Sequence, residues 1–161
     1  MNSLREDLFL QGFLAGVLGG IVMCIVDGLL FLGGITELLY LDWAAVIIFG
    51  FRASTMAETL FALLGKLLFA GYLGIVLNYL FPTLTKGHYR LKGIIIGSFA
   101  WLAINALTVL FQIAPLSPTD VATASSEFLT STLFGLVFVE ALHRLKWGTH
   151  ETPVLRSLNE V

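Results

Sequence analysis

Apolar residues fall in runs long enough to cross a bilayer, separated by short polar links. About 20 consecutive, mainly apolar residues span the hydrocarbon as a helix. Four stretches meet that length, at about 8–34, 56–81, 91–113 and 118–147. They predict an all-α integral membrane domain over residues 1–148, a four-transmembrane-helix bundle, with a flexible cytoplasmic tail over 149–161.

Ser3 and Glu6 have capping-box spacing, which predicts a helix start near Leu4. The run from Leu8 to Ile35 is too long for a signal-peptide core and reads as a retained span, closed by Gly33-Gly34. Gly12, Gly16 and Gly20 recur at four-residue spacing, beside Ala15 and Gly19, and predict a face another helix can approach closely. Asp27 lies toward the far end of this span.

The segment TELLYLDWAAVIIFGFR is apolar but too short to cross. Asp42 is placed to cap a helix from Trp43 to Phe49 and Gly50 to stop it. The segment therefore predicts a short interfacial or re-entrant helix between spans one and two, on the outer edge of the bundle. Tyr40 and Trp43 suit the headgroup level.

Thr55 and Glu58 repeat the capping-box spacing and start span two at Met56; Pro82 ends it. This span carries Glu58, Lys66 and Asn78, with Gly65, Ala70, Gly71 and Gly74 as small positions. In span three, Gly93 and Gly97 form a small face, and Trp101, Asn105 and Gln112 are the polar or amphipathic positions. Ser117, Pro118 and Asp120 fit an N-cap, a first-turn proline and a third-position carboxylate for span four, which Gly148 stops.

Composition sharpens this picture. Hydrophobic residues make up 57% of the 161 and charged residues 12%, half the share of a soluble domain, which is roughly 25%. The net charge of −2 and the lack of a long basic run leave no footprint for nucleic acid. The lone cysteine, Cys24, permits no internal disulfide and reads as a packing residue. Arg5, Lys86, Arg90, Lys92, Arg144, Lys146 and Arg156 fall on one side of the four spans, against Arg52 on the other. The positive-inside rule then places both termini in the cytoplasm.

Chemistry is sparse. No HExxH, Walker-type loop, GxSxG or CxxC occurs, and no metal or cofactor is implied. His88, His143 and His150 lie in or beside the cytoplasmic segments and read as solvated. Glu58 is explained by its cap, and Glu127 and Glu140 by nearness to helix ends. Asn105 is positioned to hydrogen-bond to another helix. Asp27 and Lys66 stand out as opposite charges inside consecutive antiparallel spans. Helix rise puts them within about 5 Å of each other in depth, which predicts a buried pair.

The stretch Phe49-Gly50-Phe51-Arg52, then Glu58, Phe69-Ala70-Gly71 and Gly74, and later Lys92-Gly93 with Gly97 and Trp101, resembles small four-span bacterial membrane proteins labelled YqhR-like. That resemblance covers most of the chain. It implies the four-span architecture and a bacterial inner membrane, and it transfers no catalytic residue.

Three functions follow as expectations. The first is a packing or assembly protein, or accessory subunit, in a homo-oligomer or larger membrane complex surrounded by the lipid bilayer. The helix-packing positions would be Gly12, Gly16, Gly20, Gly71, Gly74, Gly93 and Gly97. The second is an oligomeric transporter or channel component for a proton, ion or small solute, with Asp27, Lys66, Glu58 and Asn105 as pathway candidates. The third is a lipid-directed enzyme built on Glu127 with Ser125, Ser126 and Thr130.

Overall fold

A computed structural model describes residues 7–36, 38–113, 116 and 120–147. These form five helices and no strands: α1 (Leu8–Leu32), α2 (Tyr40–Phe49), α3 (Met56–Leu80), α4 (Tyr89–Leu110) and α5 (Val121–Trp147). Four of them, α1, α3, α4 and α5, are long and apolar enough to cross a membrane, and the short α2 lies between the first two. The chain is a multi-pass membrane protein by this architecture.

Local chemistry sets the boundaries. α1 begins at Leu8, where the Asp7 carboxylate accepts from the backbone N–H of Phe9 and Leu10; the helix start expected near Leu4 lies outside the described residues. Ser3 and Glu6 lie outside the described residues. The turn after α1 uses Gly34 at φ +70°, which glycine adopts without a Cβ clash. α2 starts three residues before Trp43, and Asp42 sits inside its first turn, accepting from the backbone N–H of Leu39 at 2.9 Å. Gly50 at φ +80° closes it. α3 begins as expected: Thr55 Oγ1 accepts from Glu58 N while Glu58 Oε2 accepts from Thr55 N. It stops at Leu80, since Phe81 precedes Pro82 and takes extended φ of −126°. α4 runs from Tyr89 and ends at Leu110, three residues short of Ile113, because Gln112 takes a left-handed φ of 48°. Asp120 caps α5 and does not sit in its first turn: its carboxylate accepts from Thr123 N at 3.0 Å. Ser117, Pro118, Gly148 and the tail over 149–161 lie outside the described residues.

The long helices pack antiparallel in the order α3–α1–α5–α4, with α2 laid against α3. α3 and α4 are joined by a short link yet pack mainly against other helices. Glycine makes the close crossings possible. A Cβ on Gly16 would run into the carbonyl of Ala70, one on Gly12 would lie 2.8 Å from Gly74 O, and one on Gly74 would strike Gly12 O. Between α4 and α5 the same holds for Gly93 and Gly97 against Gly135 and Ser131. Gly20 faces Ala70, and Gly71 faces the Phe13 ring.

The interior is layered along the helix axes. Ala15, Leu77, Leu84, Phe138, Val139 and Leu142 form an apolar cluster toward the end where α1 and α4 begin. Met23, Tyr40, Ala70 and Phe134 continue it toward α2. The outward faces carry Ile25 and Leu29 of α1, Leu60, Phe69 and Tyr72 of α3, and Ile95, Phe99 and Val109 of α4, all exposed. A bilayer solvates such side chains, so the chain can turn its larger apolar residues outward and its small and polar residues inward.

Candidate functional site

Asp27 and Lys66 meet as expected. Lys66 Nζ lies 3.2 Å from Asp27 Oδ2, with the two side chains 9% and 3% exposed. Helix rise puts Asp27 about 7 Å from the end of α1 and Lys66 about 15 Å from the start of α3. The long lysine side chain covers the difference. The same Asp27 oxygen accepts the backbone N–H of Tyr40 at 2.8 Å, so one carboxylate ties α1, α2 and α3 together. That bond also satisfies a donor at the start of α2, where no earlier turn supplies an acceptor.

Tyr40, suited by sequence to the headgroup level, is buried. Its ring lies 5.5 Å from Lys66 Nζ, within cation–π distance. Its hydroxyl is 2.6 Å from Ser131 Oγ and reaches the carbonyl of Glu127 at 3.3 Å. This extends the network onto α5. Cys24 is half-buried on the same side of α1, next to the Lys66 ammonium.

Glu127 overturns its expected place at a solvated helix end. It is 1% exposed. Trp43 Nε1 donates to Oε1 at 3.5 Å and Asn105 Nδ2 to Oε2 at 3.4 Å, two long bonds from neutral groups. Among the described residues no Lys or Arg forms an ion pair with it. The reason is helical spacing: Thr123, Ser126, Glu127, Thr130 and Ser131 fall on one face of α5, and all five are buried. That spacing is the signal by which the sequence could have revealed the site. The expected Ser125–Ser126–Thr130 constellation does not form around Glu127, since each hydroxyl bonds a carbonyl of its own helix.

Asn105 does bridge to another helix, through Glu127, as its position predicts. Glu58 does not join the network. Its carboxylate accepts from Ser54 and Thr55 at the start of α3, in an exposed position. The site is therefore Asp27, Lys66, Tyr40, Ser131, Glu127, Trp43 and Asn105, drawn from all five helices and gathered toward the α2 end.

A second polar group lies at the opposite end. Buried Asn78 donates to Leu8 O at 2.8 Å and accepts from Lys146 Nζ at 2.7 Å. His143, expected to be solvated, stacks on Tyr89 at 4.2 Å and its Nδ1 lies 3.3 Å from Thr85 O. His88 is exposed, and His150 lies outside the described residues. The apolar layer of Phe134, Phe138, Leu77 and Leu142 separates the two polar groups. Among the described residues no three His, Cys, Asp or Glu side chains converge as a metal-binding set.

Comparison with protein-family models returns no match, and neither curated proteins nor solved structures give a significant one.

Proposed function

We propose that this chain is a component of a small-solute or ion-handling assembly in the bacterial cytoplasmic membrane, with both termini cytoplasmic. The carrying observation is the buried acid–base set of Asp27, Lys66 and Glu127, joined through Tyr40 and Ser131. Ionisable side chains inside membrane helices are costly and characteristically mark solute, ion or proton pathways. The non-spanning α2 supports the reading. Tyr40 and Trp43 fasten it to the set through Asp27 and Glu127. Glu58 has no part in this function, since its cap accounts for it. An apolar cluster lies between the set and the opposite end of the bundle, so further subunits would complete the route. Flux of protons or small monovalent ions into proteoliposomes tests this. Loss of flux in Glu127→Gln with retained folding supports the proposal, and flux unaffected by Glu127→Gln and Lys66→Met refutes it.

One observation favours the assembly reading instead. The Asp27 carboxylate has both a lysine and a backbone N–H as partners, which suffices for a structural clamp. The glycine faces give that reading little help as a docking surface. Gly12, Gly16, Gly20, Gly71, Gly74, Gly93 and Gly97 all meet neighbours within the chain, so an oligomer would form through the larger apolar faces. A strict monomer in a lipid nanodisc, with no co-purifying partner, would eliminate that reading.

A further inference from the structure

The end of the bundle where α4 begins and α5 finishes carries Lys86, Arg90, Lys92, Arg144 and Lys146, against the carboxylates Asp7 and Glu140 among the described residues. Asp7 is engaged in capping α1. Lys92 Nζ donates to the carbonyls of Thr83 and Lys86, and Lys146 to Asn78, so both ammoniums hold the α3–α4 link and the end of α3. Arg90 and Arg144 differ. They converge on one carboxylate, Arg90 Nε at 3.3 Å from Glu140 Oε2 and Arg144 Nε at 2.9 Å from Oε1. Their side chains remain 69% and 77% exposed.

A guanidinium has five N–H donors, and each of these gives only its Nε to Glu140. The cluster therefore keeps a net positive charge and two outer guanidinium edges, the geometry that pairs with phosphate oxygens. Tyr89 completes it, donating to Glu140 Oε2 at 3.1 Å and lying under the Arg90 guanidinium. Next along α4 come Leu91, Ile94 and Ile95, all exposed and apolar. Cationic edges thus adjoin an apolar strip. A free anion matches only the first of these features. A phospholipid with a net negative headgroup matches both.

We propose that Arg90, Arg144 and Tyr89, gathered around Glu140, form a headgroup site for an anionic glycerophospholipid, whose acyl chains lie along Leu91, Ile94 and Ile95. The site is separate from the buried acid–base set and does not depend on the transport reading.

The test uses the full-length protein in a neutral maltoside detergent. Phosphatidylglycerol and phosphatidylcholine are added in equal amounts, and retained lipid is read by native mass spectrometry. The wild type is expected to retain phosphatidylglycerol in preference. Each of Arg90→Gln and Arg144→Gln is expected to weaken retention about fivefold, from the contribution of one cation near an anionic headgroup. The double variant should lose the preference, and Arg52→Gln at the opposite end should keep it. Glu140→Gln removes the competing carboxylate and should retain phosphatidylglycerol at least as well as wild type, which separates lipid binding from a merely structural role for the cluster. Equal retention of both lipids by the wild type overturns the proposal. So does a preference that survives the double substitution, or loss of retention in Glu140→Gln. Displacement of the lipid by millimolar inorganic phosphate also overturns it, by reassigning the site to a free anion.

Discussion

Replacing Lys66 by Met removes the cation that faces the Asp27 carboxylate at 3.2 Å and leaves that carboxylate buried with only the Tyr40 N–H as a partner. Breaking a buried ion pair on one side costs roughly 3–5 kcal/mol, because the remaining charge stays desolvated. Asp27→Leu strands the Lys66 ammonium at similar cost. It also orphans the Tyr40 N–H at the start of α2, which adds roughly 1–3 kcal/mol. Asp27→Leu is therefore expected to be the worse single change. In Asp27→Leu/Lys66→Met both charges are gone and only the orphaned N–H remains, so the double variant should lose about 1–3 kcal/mol, less than either single. Asp27→Asn/Lys66→Met, which keeps an acceptor for Tyr40, should come closest to wild type. Unfolding in mixed maltoside–dodecyl sulfate micelles, followed by far-ultraviolet circular dichroism, measures all four. Losses that simply add in the double variant would refute the pair as an energetic unit.

Gly16→Leu should destabilise far more than Leu18→Ala, since a side chain at 16 drives into the Ala70 carbonyl whereas Leu18 faces outward; equal melting temperatures would contradict this. Glu58→Ala should lower the melting temperature through the lost half of the capping box and leave any flux intact, a result checked by parallel melting and transport assays. Thr123, through its hydroxyl and its backbone N–H, holds the Asp120 carboxyl below the ordinary aspartate value. A depressed folded-state value means that the cap stabilises above the unfolded-state value and is lost as pH falls through the folded one. The deficit of Asp120→Asn in thermal melts should therefore be clear at neutral pH and close in strong acid. Cysteines placed at Ser54 and Lys86 in a Cys24→Ala background should label from opposite sides of the membrane, Ser54 from outside; the reverse would invert the orientation argued from Lys and Arg.

The span count, the short helix between spans one and two, and the Thr55–Glu58 cap were all legible in the chain. Each depends on residues close together in sequence. Run length decides whether a helix can cross hydrocarbon, and a cap is a matter of three or four positions. The Asp27–Lys66 pair was legible too, for a physical reason: a charge in an apolar helix needs a partner, and depth along two antiparallel helices follows from helix rise alone. Helix ends were less legible. Asp42 and Asp120 each stand within a few residues of several possible caps, and the backbone geometry that chooses among them is not written in residue type.

Other features depended on which helix face meets which neighbour. Glu127 lies near a helix end in sequence, where a carboxylate is ordinarily solvated. It is buried because α2 folds back so that Trp43 covers it, and because α4 brings Asn105 alongside. Tyr40 looks like an interfacial anchor by composition, yet its N–H and hydroxyl are held on opposite sides by Asp27 and Ser131. The Arg90–Glu140–Arg144 cluster likewise joins two helices, with Arg90 and Glu140 fifty positions apart. By itself the sequence determined that the chain has four helices long and apolar enough to cross a bilayer, and that Asp27 and Lys66 lie at depths that suit a pair. The tertiary structure alone decided the order α3–α1–α5–α4 and the membership of the buried acid–base set. Lipid imposes a length and a polarity on each helix separately, whereas packing among helices depends on contacts that no single segment encodes.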